Sequence, residues 1–212
     1  MKTIVINASP RKNWNTAQLM KSALEGAKSV GAETEYIDLY DLSFRGCMSC
    51  LACKRKGNEP CHCYWKDDLS PLIDKILSAD TLLIGSPIYF GEPTAHFRAL
   101  LERLMFCVLS YDSRSSSFKG KINVGLIYTM NAPREAYEKM YVDKFKFHED
   151  TFARFLNGEV RTLAACDTLQ VNDYSQYHMA AMSEEHKRKV RDEVFPKDLE
   201  SAFKLGAELS KA

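Results

Sequence analysis

The chain has 212 residues, of which 45% are hydrophobic and 27% are charged, and its 29 basic and 28 acidic side chains leave a net charge of +1. This length suits one α/β domain with a substantial core, and the balanced charge argues against a nucleic-acid partner, which usually requires a basic excess on one face. The longest apolar runs are far too short to span a membrane. No signal peptide is visible, so the expected location is the cytoplasm, where the seven cysteines should be reduced thiols or metal ligands.

Five short apolar runs have the pattern of buried strands, and in chain order they cover residues 2–7, 33–39, 81–85, 121–128 and 161–171. Helical patterns alternate with them, beginning near Asn15 and then covering residues 69–77, 97–108, 134–155 and 183–209, the last interrupted at Pro196. This alternation predicts a doubly wound parallel sheet in a single domain, residues 1–212. The basic run at residues 186–189 is expected to be a solvated helix face, with contact to a ribose phosphate as the alternative.

A cysteine-rich loop occupies about residues 45–66 and is longer than most connections, so we expect it to be functional. Its thiols are Cys47, Cys50, Cys53, Cys61 and Cys63. Such a concentration suits soft-metal or redox chemistry better than packing. The residues alone leave an iron–sulfur cluster, a zinc site, a redox-active thiol pair and packed free thiols open. Cys107 and Cys166 lie in a predicted helix and strand and are expected in the core.

The segment from Ser9 to Thr16 follows the first predicted strand and opens the first predicted helix. It offers two hydroxyls, the guanidinium of Arg11, the amide of Asn15 and the unpaired N–H groups of the helix, which together make a phosphate site. An ordinary strand-to-helix turn, capped by Asn or Thr, explains the same residues equally well.

A second loop, from Gly85 to Gly91, follows the third predicted strand. Tyr89 and Phe90 offer aromatic surface for a flat ligand, or they only cover the end of the sheet. The first and third strands flank the point where the strand order of such a sheet reverses, which is where these folds bind ligands.

Three segments together resemble the NADPH-dependent FMN reductase and iron–sulfur flavoprotein family: residues 7–16, the cysteine segment that runs into Asp67-Asp68, and residues 85–90. The resemblance covers about the first 130 residues and continues more loosely through residues 168–171. It implies a flavodoxin-like, three-layer α/β sandwich whose five-stranded parallel sheet has the order 2-1-3-4-5.

The resemblance implies FMN as the cofactor. The residues that it assigns to FMN are Ser9, Arg11, Asn15 and Thr16 at the phosphate, Pro87, Ile88, Tyr89 and Phe90 along the isoalloxazine, and Thr129 at the ring. Trp14 stands where the family often has glycine, so its indole either points away from the phosphate or covers it.

Some members of the family carry a [4Fe–4S] cluster in the corresponding loop, and the cysteine spacing here fits such a cluster. Its ligands would be Cys47, Cys50, Cys53 and Cys61, with Cys63 as the alternative fourth ligand. Cluster-free relatives retain most of these cysteines too.

The implied function is an FMN-dependent oxidoreductase that passes hydride or electrons from NAD(P)H through FMN to a small-molecule or protein acceptor. No catalytic side chain is expected, because the flavin N5 carries the chemistry. The alternatives are an iron–sulfur flavoprotein that acts as an electron carrier and a flavin-free zinc-binding domain. We expect a homodimer or homotetramer with no membrane and no nucleic-acid partner.

Overall fold

A computed structural model describes residues 1–211, in which six strands form one sheet. The strands are β1 (Lys2–Asn7), β2 (Glu33–Asp38), β3 (Thr81–Tyr89), β4 (Glu92–Pro93), β5 (Ile122–Thr129) and β6 (Asn157–Ala165). The five longer strands are parallel and lie in the order β2-β1-β3-β5-β6. Counted without β4, this is the expected order, and the flavodoxin-like fold class is confirmed.

The helices are α1 (Asn15–Ser29), α2 (Leu69–Leu77), α3 (Ala95–Val108), α4 (Arg134–Met140), α5 (Val142–Leu156), α6 (Glu184–Glu193) and α7 (Phe195–Leu209). Short 3₁₀ turns occur at Leu39–Asp41, Ala52–Lys54 and Tyr174–Gln176. The predicted break before Pro196 is present, since this proline lies at the beginning of α7. No helix within residues 1–211 combines the length and the apolarity that crossing a membrane requires.

Helices cover both faces of the sheet, which explains the unbroken apolar strands. Ile4 and Ile6 of β1 face a core shared with α2, α3 and α5, whereas Val5 faces a second core shared with α1 and α7. This alternation follows from the two-residue period of a strand. Cys107 and Cys166 are buried, as expected.

Three predicted strand boundaries were wrong by more than one residue, and one strand was missed. The third strand continues beyond Gly85 to Tyr89, and the last strand begins at Asn157 and not at Arg161. The last strand ends at Ala165 and does not reach Val171, because Asp167 has a left-handed backbone (φ 56°) that turns the chain out of the sheet. The short β4 was not predicted, and it pairs antiparallel with β3 through a turn at Phe90 and Gly91, both of positive φ (50° and 83°). We call residues 87–91, which are the end of β3 and this turn, the aromatic loop.

Candidate functional site

A cavity of about 540 Å³ lies at the carboxyl ends of β1, β3 and β5. The predicted cofactor-binding residues all lie in its wall, and they are Ser9, Arg11, Asn15, Thr16, Pro87, Ile88, Tyr89, Phe90 and Thr129. Its volume is in the range of small-molecule sites. Since β1 and β3 are adjacent and their connections leave on opposite sides, the cavity occupies the switch point of the sheet.

One end of the cavity is formed by the first turn of α1. Trp14 precedes this helix with an extended backbone and makes no side-chain cap, and the first turn contains no acidic residue. The first N–H groups of α1, together with the positive end of its dipole, therefore face the cavity without a capping side chain. Such a helix start favours an anion. The predicted alternative, a turn capped by Asn or Thr, does not describe this helix.

Ser9 and Thr16 are almost fully buried beside this helix start. The Ser9 Oγ accepts a hydrogen bond of 3.1 Å from the backbone N–H of Arg11, which shapes the loop. The Thr16 hydroxyl lies 2.7 Å from the hydroxyl of Thr129 at the end of β5. This contact joins two of the predicted segments directly and fixes the floor of the cavity.

The side chain of Asn15 is engaged by residues far away in the sequence. Its Nδ2 donates to the carbonyl of Leu169 over 2.8 Å, and its Oδ1 accepts from Arg191 over 3.2 Å. Arg191 also donates to Gln18 (2.6 Å) and lies over the ring of Phe195 at 4.2 Å. The sequence did not indicate Arg191, because 176 residues separate it from Asn15 and no motif connects them.

Trp14 lies in the wall of the cavity. Its indole N–H donates to the carbonyl of Leu169 over 3.1 Å. The guanidinium of Arg11 lies 4.3 Å from the centre of the indole ring and donates to the carbonyl of Gln170 over 2.6 Å. The loop after β1 is thus attached to the segment after β6.

Another part of the cavity wall is formed by the aromatic loop. Tyr89 is about half exposed (47%) and Phe90 is completely exposed. Further residues in the wall are Met130, Asn131, Thr168, Gln170 and Met182. Of these, Thr168 and Gln170 lie in the segment that resembled the family loosely, whereas nothing in the sequence indicated Met182.

The cysteine loop forms a separate, small cavity beside α3. The thiols in its wall are Cys47, Cys50, Cys53 and Cys63, together with the buried Cys107. Burial raises the pKa of the Cys53 thiol above its usual value. The nearby ammonium of Lys54 acts in the opposite direction and lowers this pKa, whereas the neighbouring thiols of residues 63, 47 and 50 raise it further. Cys61, predicted as a ligand, is not part of this wall, and it has a left-handed backbone (φ 60°).

Besides Lys54, Arg103 is a second cation next to these thiols, and it is only 2% exposed. It donates to the Cys63 Sγ over 3.2 Å, to Asp67 over 2.5 Å and to the Ser70 hydroxyl over 2.6 Å. Arg103 therefore attaches the end of the loop to α2 and supplies an N–H donor to one sulfur. Within residues 1–211, no three His, Cys, Asp or Glu side chains are arranged to hold a single metal ion.

The comparisons with known proteins agree with this geometry. An iron–sulfur flavoprotein of Methanocaldococcus jannaschii is 38% identical over 103 residues, and one of Archaeoglobus fulgidus is 35% identical over 127 residues. These matches cover 49% and 59% of this chain and 51% and 60% of the relatives. The chain thus spans only about half to three-fifths of the length of these relatives.

Solved structures with the same fold match almost the whole chain. An NAD(P)H:quinone oxidoreductase from Methanothermobacter marburgensis has a TM-score of 0.72 at 17% identity, and the match covers 99% of this chain and 98% of that one. An FMN-dependent NADH-azoreductase from Bacillus anthracis in complex with FMN has a TM-score of 0.69 at 17% identity, with all of both chains covered. The family model described as NADPH-dependent FMN reductase matches residues 1–138 of the 212. The chain therefore belongs to the NADPH-dependent FMN reductase family.

Proposed function

We propose that the protein binds FMN in the cavity at the switch point and acts as an NAD(P)H-dependent oxidoreductase. The observation that carries this proposal is the convergence of three separate segments, predicted as FMN-binding, on one cavity. Its wall combines an uncapped helix start, which suits a phosphate, with an aromatic segment, which suits a flat ring. Family membership supports the same cofactor.

Each part of the cavity has a role in this proposal. The N–H groups of α1 and the hydroxyls of Ser9 and Thr16 would bind the phosphate, and Arg11 would supply the positive charge. The segment from Pro87 to Phe90 would hold the isoalloxazine in place. When bound, FMN supplies hydride and single-electron chemistry, so the protein needs to bind, orient and shield the reactants and requires no acid–base pair.

The test is the reaction of the purified protein with reduced nicotinamides. We expect a yellow protein whose flavin absorbance is bleached rapidly in anaerobic stopped-flow mixing with NADPH or NADH. Slow bleaching with both nucleotides would remove the reductase assignment and favour an electron carrier. A colourless protein that does not take up added FMN would remove the flavin proposal altogether.

An iron–sulfur flavoprotein that transfers electrons is the second candidate, and the small cavity beside α3 favours it. We propose Cys47, Cys50, Cys53 and Cys63 as ligands of a [4Fe–4S] cluster, since these thiols share one cavity and Cys61 lies outside it. The names of the relatives from Methanocaldococcus and Archaeoglobus support this candidate.

Two matched serine variants test the ligand set. After anaerobic purification, Cys63→Ser should lose the iron and acid-labile sulfide that the wild type contains, whereas Cys61→Ser should keep both. FMN content should be unchanged in each variant, because the cysteine cavity and the FMN cavity share no wall residue. Loss of iron in Cys61→Ser with retention in Cys63→Ser would reverse the assignment. A wild type without iron would end the cluster proposal and leave the FMN proposal standing.

A further inference from the structure

We infer, on the basis of the proposed FMN site, that Arg191 of α6 is a positioning residue for the phosphate. It holds the side-chain amide of Asn15 so that the acceptor oxygen lies away from the start of α1 and the donor nitrogen lies toward the cavity. Arg191 is outside residues 1–138, the part of the chain that the family model matches. Helix α6 thereby becomes part of the structure that binds the cofactor.

The amide of Asn15 is buried and is held on both sides. Asn15 is only 5% exposed, although it belongs to the cavity wall. Its Oδ1 accepts a hydrogen bond of 3.2 Å from Arg191, and its Nδ2 donates over 2.8 Å to the carbonyl of Leu169. The neighbours of Leu169 in the chain, Thr168 and Gln170, line the cavity, whereas Arg191 is not among the wall residues. The donor nitrogen of the amide therefore lies on the cavity side.

Gln18, on the next turn of α1, is held in the same way. Its Oε1 accepts from Arg191 over 2.6 Å, and its Nε2 donates to the carbonyl of Asn13 over 3.1 Å. The guanidinium that binds both oxygens lies over the ring of Phe195, 4.2 Å from its centre, and Phe195 is itself buried in the core. A planar group with several fixed donors can satisfy two acceptors and stack on a ring at the same time.

The orientation of the Asn15 amide matters because the start of α1 has no capping side chain. Asparagine oxygens readily accept hydrogen bonds from nearby backbone N–H groups, which is why asparagine is a common cap. Arg191 binds this oxygen, so the first N–H groups of α1 remain available to an anion. Within residues 1–211, the Asn15 nitrogen uses one of its two N–H groups, and the other is available to the same anion.

Removing Arg191 would leave the Asn15 oxygen as a buried acceptor without a donor, which is unfavourable. The amide would then turn toward the N–H groups of α1 and compete with the phosphate for them. This effect concerns the phosphate alone, so it should distinguish FMN from riboflavin, which has the same ring system and no phosphate.

The test compares the affinities of the full chain, freed of flavin, for FMN and for riboflavin. Arg191→Met removes the donors and keeps an apolar side chain over Phe195. Arg191→Lys keeps the positive charge, but an ammonium cannot replace the forked donors. Lys189→Met is the matched control, because it removes a positive charge from an exposed position on the same helix.

We expect Arg191→Met to weaken FMN binding by about tenfold, the scale of one hydrogen bond to a charged group, and riboflavin binding by no more than about twofold. Arg191→Lys should lose a similar share of the FMN affinity, and Lys189→Met should change neither affinity. In an Asn15→Ala protein, adding Arg191→Met should weaken FMN binding by no more than about twofold further, because the amide through which Arg191 acts is then absent.

Several results would overturn this role of Arg191. An FMN-to-riboflavin affinity ratio that stays at the wild-type value in folded Arg191→Met excludes it, and Arg191→Lys answers the same question if the methionine variant does not fold. A lysine variant that keeps the wild-type ratio would show that charge and not orientation is required. A loss from Arg191→Met that is equally large in the Asn15→Ala protein would show that Arg191 does not act through Asn15. A wild type that binds neither flavin contradicts the proposed function itself, so the two failures can be told apart.

Discussion

At the scale of single residues, Arg11 shows how a side chain can serve the fold and still bind a ligand. A guanidinium has five N–H donors, and among residues 1–211 that of Arg11 makes one hydrogen bond, to the carbonyl of Gln170. Its remaining donors are available to an anion at the start of α1.

Replacing this residue should therefore weaken FMN binding. Arg11→Ala should lower the affinity by about 1.5–3 kcal/mol, the scale of a hydrogen bond to a charged group. Fluorescence titration with FMN measures the change, and Lys12→Ala controls for the loss of a neighbouring positive charge. An unchanged dissociation constant in Arg11→Ala would contradict the phosphate role.

Asp198 is a residue whose burial makes stability depend on pH. It is only 8% exposed, and burial raises its pKa to about 6, although Arg134 nearby lowers it. An unfolded aspartate has a pKa of about 3.9. In the window between these values, the folded state holds a proton that the unfolded state has released. Stability should therefore decrease as the pH rises through this window.

Asp198→Asn removes this titration. Relative to the wild type, the variant should gain about 2–2.5 kcal/mol of unfolding free energy between pH 4 and pH 8. Urea unfolding at both pH values gives the difference between the two proteins, which cancels the other titrating groups. A difference that stays constant with pH would show that the pKa of Asp198 is not raised in the folded protein.

At the scale of elements, α6 anchors the loops that line the cavity. Lys187 is 5% exposed, and its ammonium contacts the carboxylate of Asp167 and donates to the Asn131 carbonyl over 2.9 Å. Asn131 and Thr168, the residue after Asp167, both line the cavity. The expectation of a solvated basic face was therefore wrong for Lys187.

Removing one partner of this buried ion pair should lower the stability of the protein. Asp167→Asn leaves the Lys187 ammonium without its carboxylate, so we expect a loss of about 3 kcal/mol in unfolding free energy. Lys187→Met should be destabilising as well. The double variant should lose less unfolding free energy than the sum of the two single losses, because with both side chains replaced no buried charge is left without its partner. Denaturant unfolding of all four proteins measures this coupling, and strictly additive losses would argue against it.

The regular elements could be predicted because local patterns determine them. The strand at Thr81 and the helix that begins at Asn15 follow from apolar periodicity. The end of β6 and the short β4 depend on positive φ values at Asp167 and Phe90. Neither residue is a glycine, which is the residue type that usually marks a positive φ, so no local signal revealed these conformations.

For the candidate site, too, some features could be predicted from the sequence and others could not. The segments that line the cavity could be predicted, since each follows a strand at the same edge of the sheet. The partners that fix them could not. Leu169 lies 154 residues from Asn15, and it contributes a backbone carbonyl, a group that every residue has. The proposal of Cys63 over Cys61 likewise rests on which thiol lines the cavity beside α3, and the sequence spacing does not determine this.

At the scale of the whole molecule, the two ends of the chain are packed together through α1 and α7. A Cβ atom on Gly26 would lie 2.0 Å from the carbonyl oxygen of Phe203, and one on Gly206 would lie 2.0 Å from that of Ala23. The two glycines therefore allow the helix backbones to touch. Because α1 begins at the cavity, its position on α7 also sets the position of the proposed phosphate site.

Adding a methyl group at this crossing should affect both stability and binding. Gly206→Ala forces the helices apart, and we expect a net loss of about 1–3 kcal/mol in unfolding free energy, even though alanine favours a helix over glycine by about 1 kcal/mol. FMN affinity should fall with it, since the start of α1 moves relative to β3. Lys204→Ala, on the exposed face of α7, should change stability by no more than about 0.5 kcal/mol. A Gly206→Ala protein as stable as the wild type would mean that the crossing can widen freely and that α7 does not determine where α1 lies.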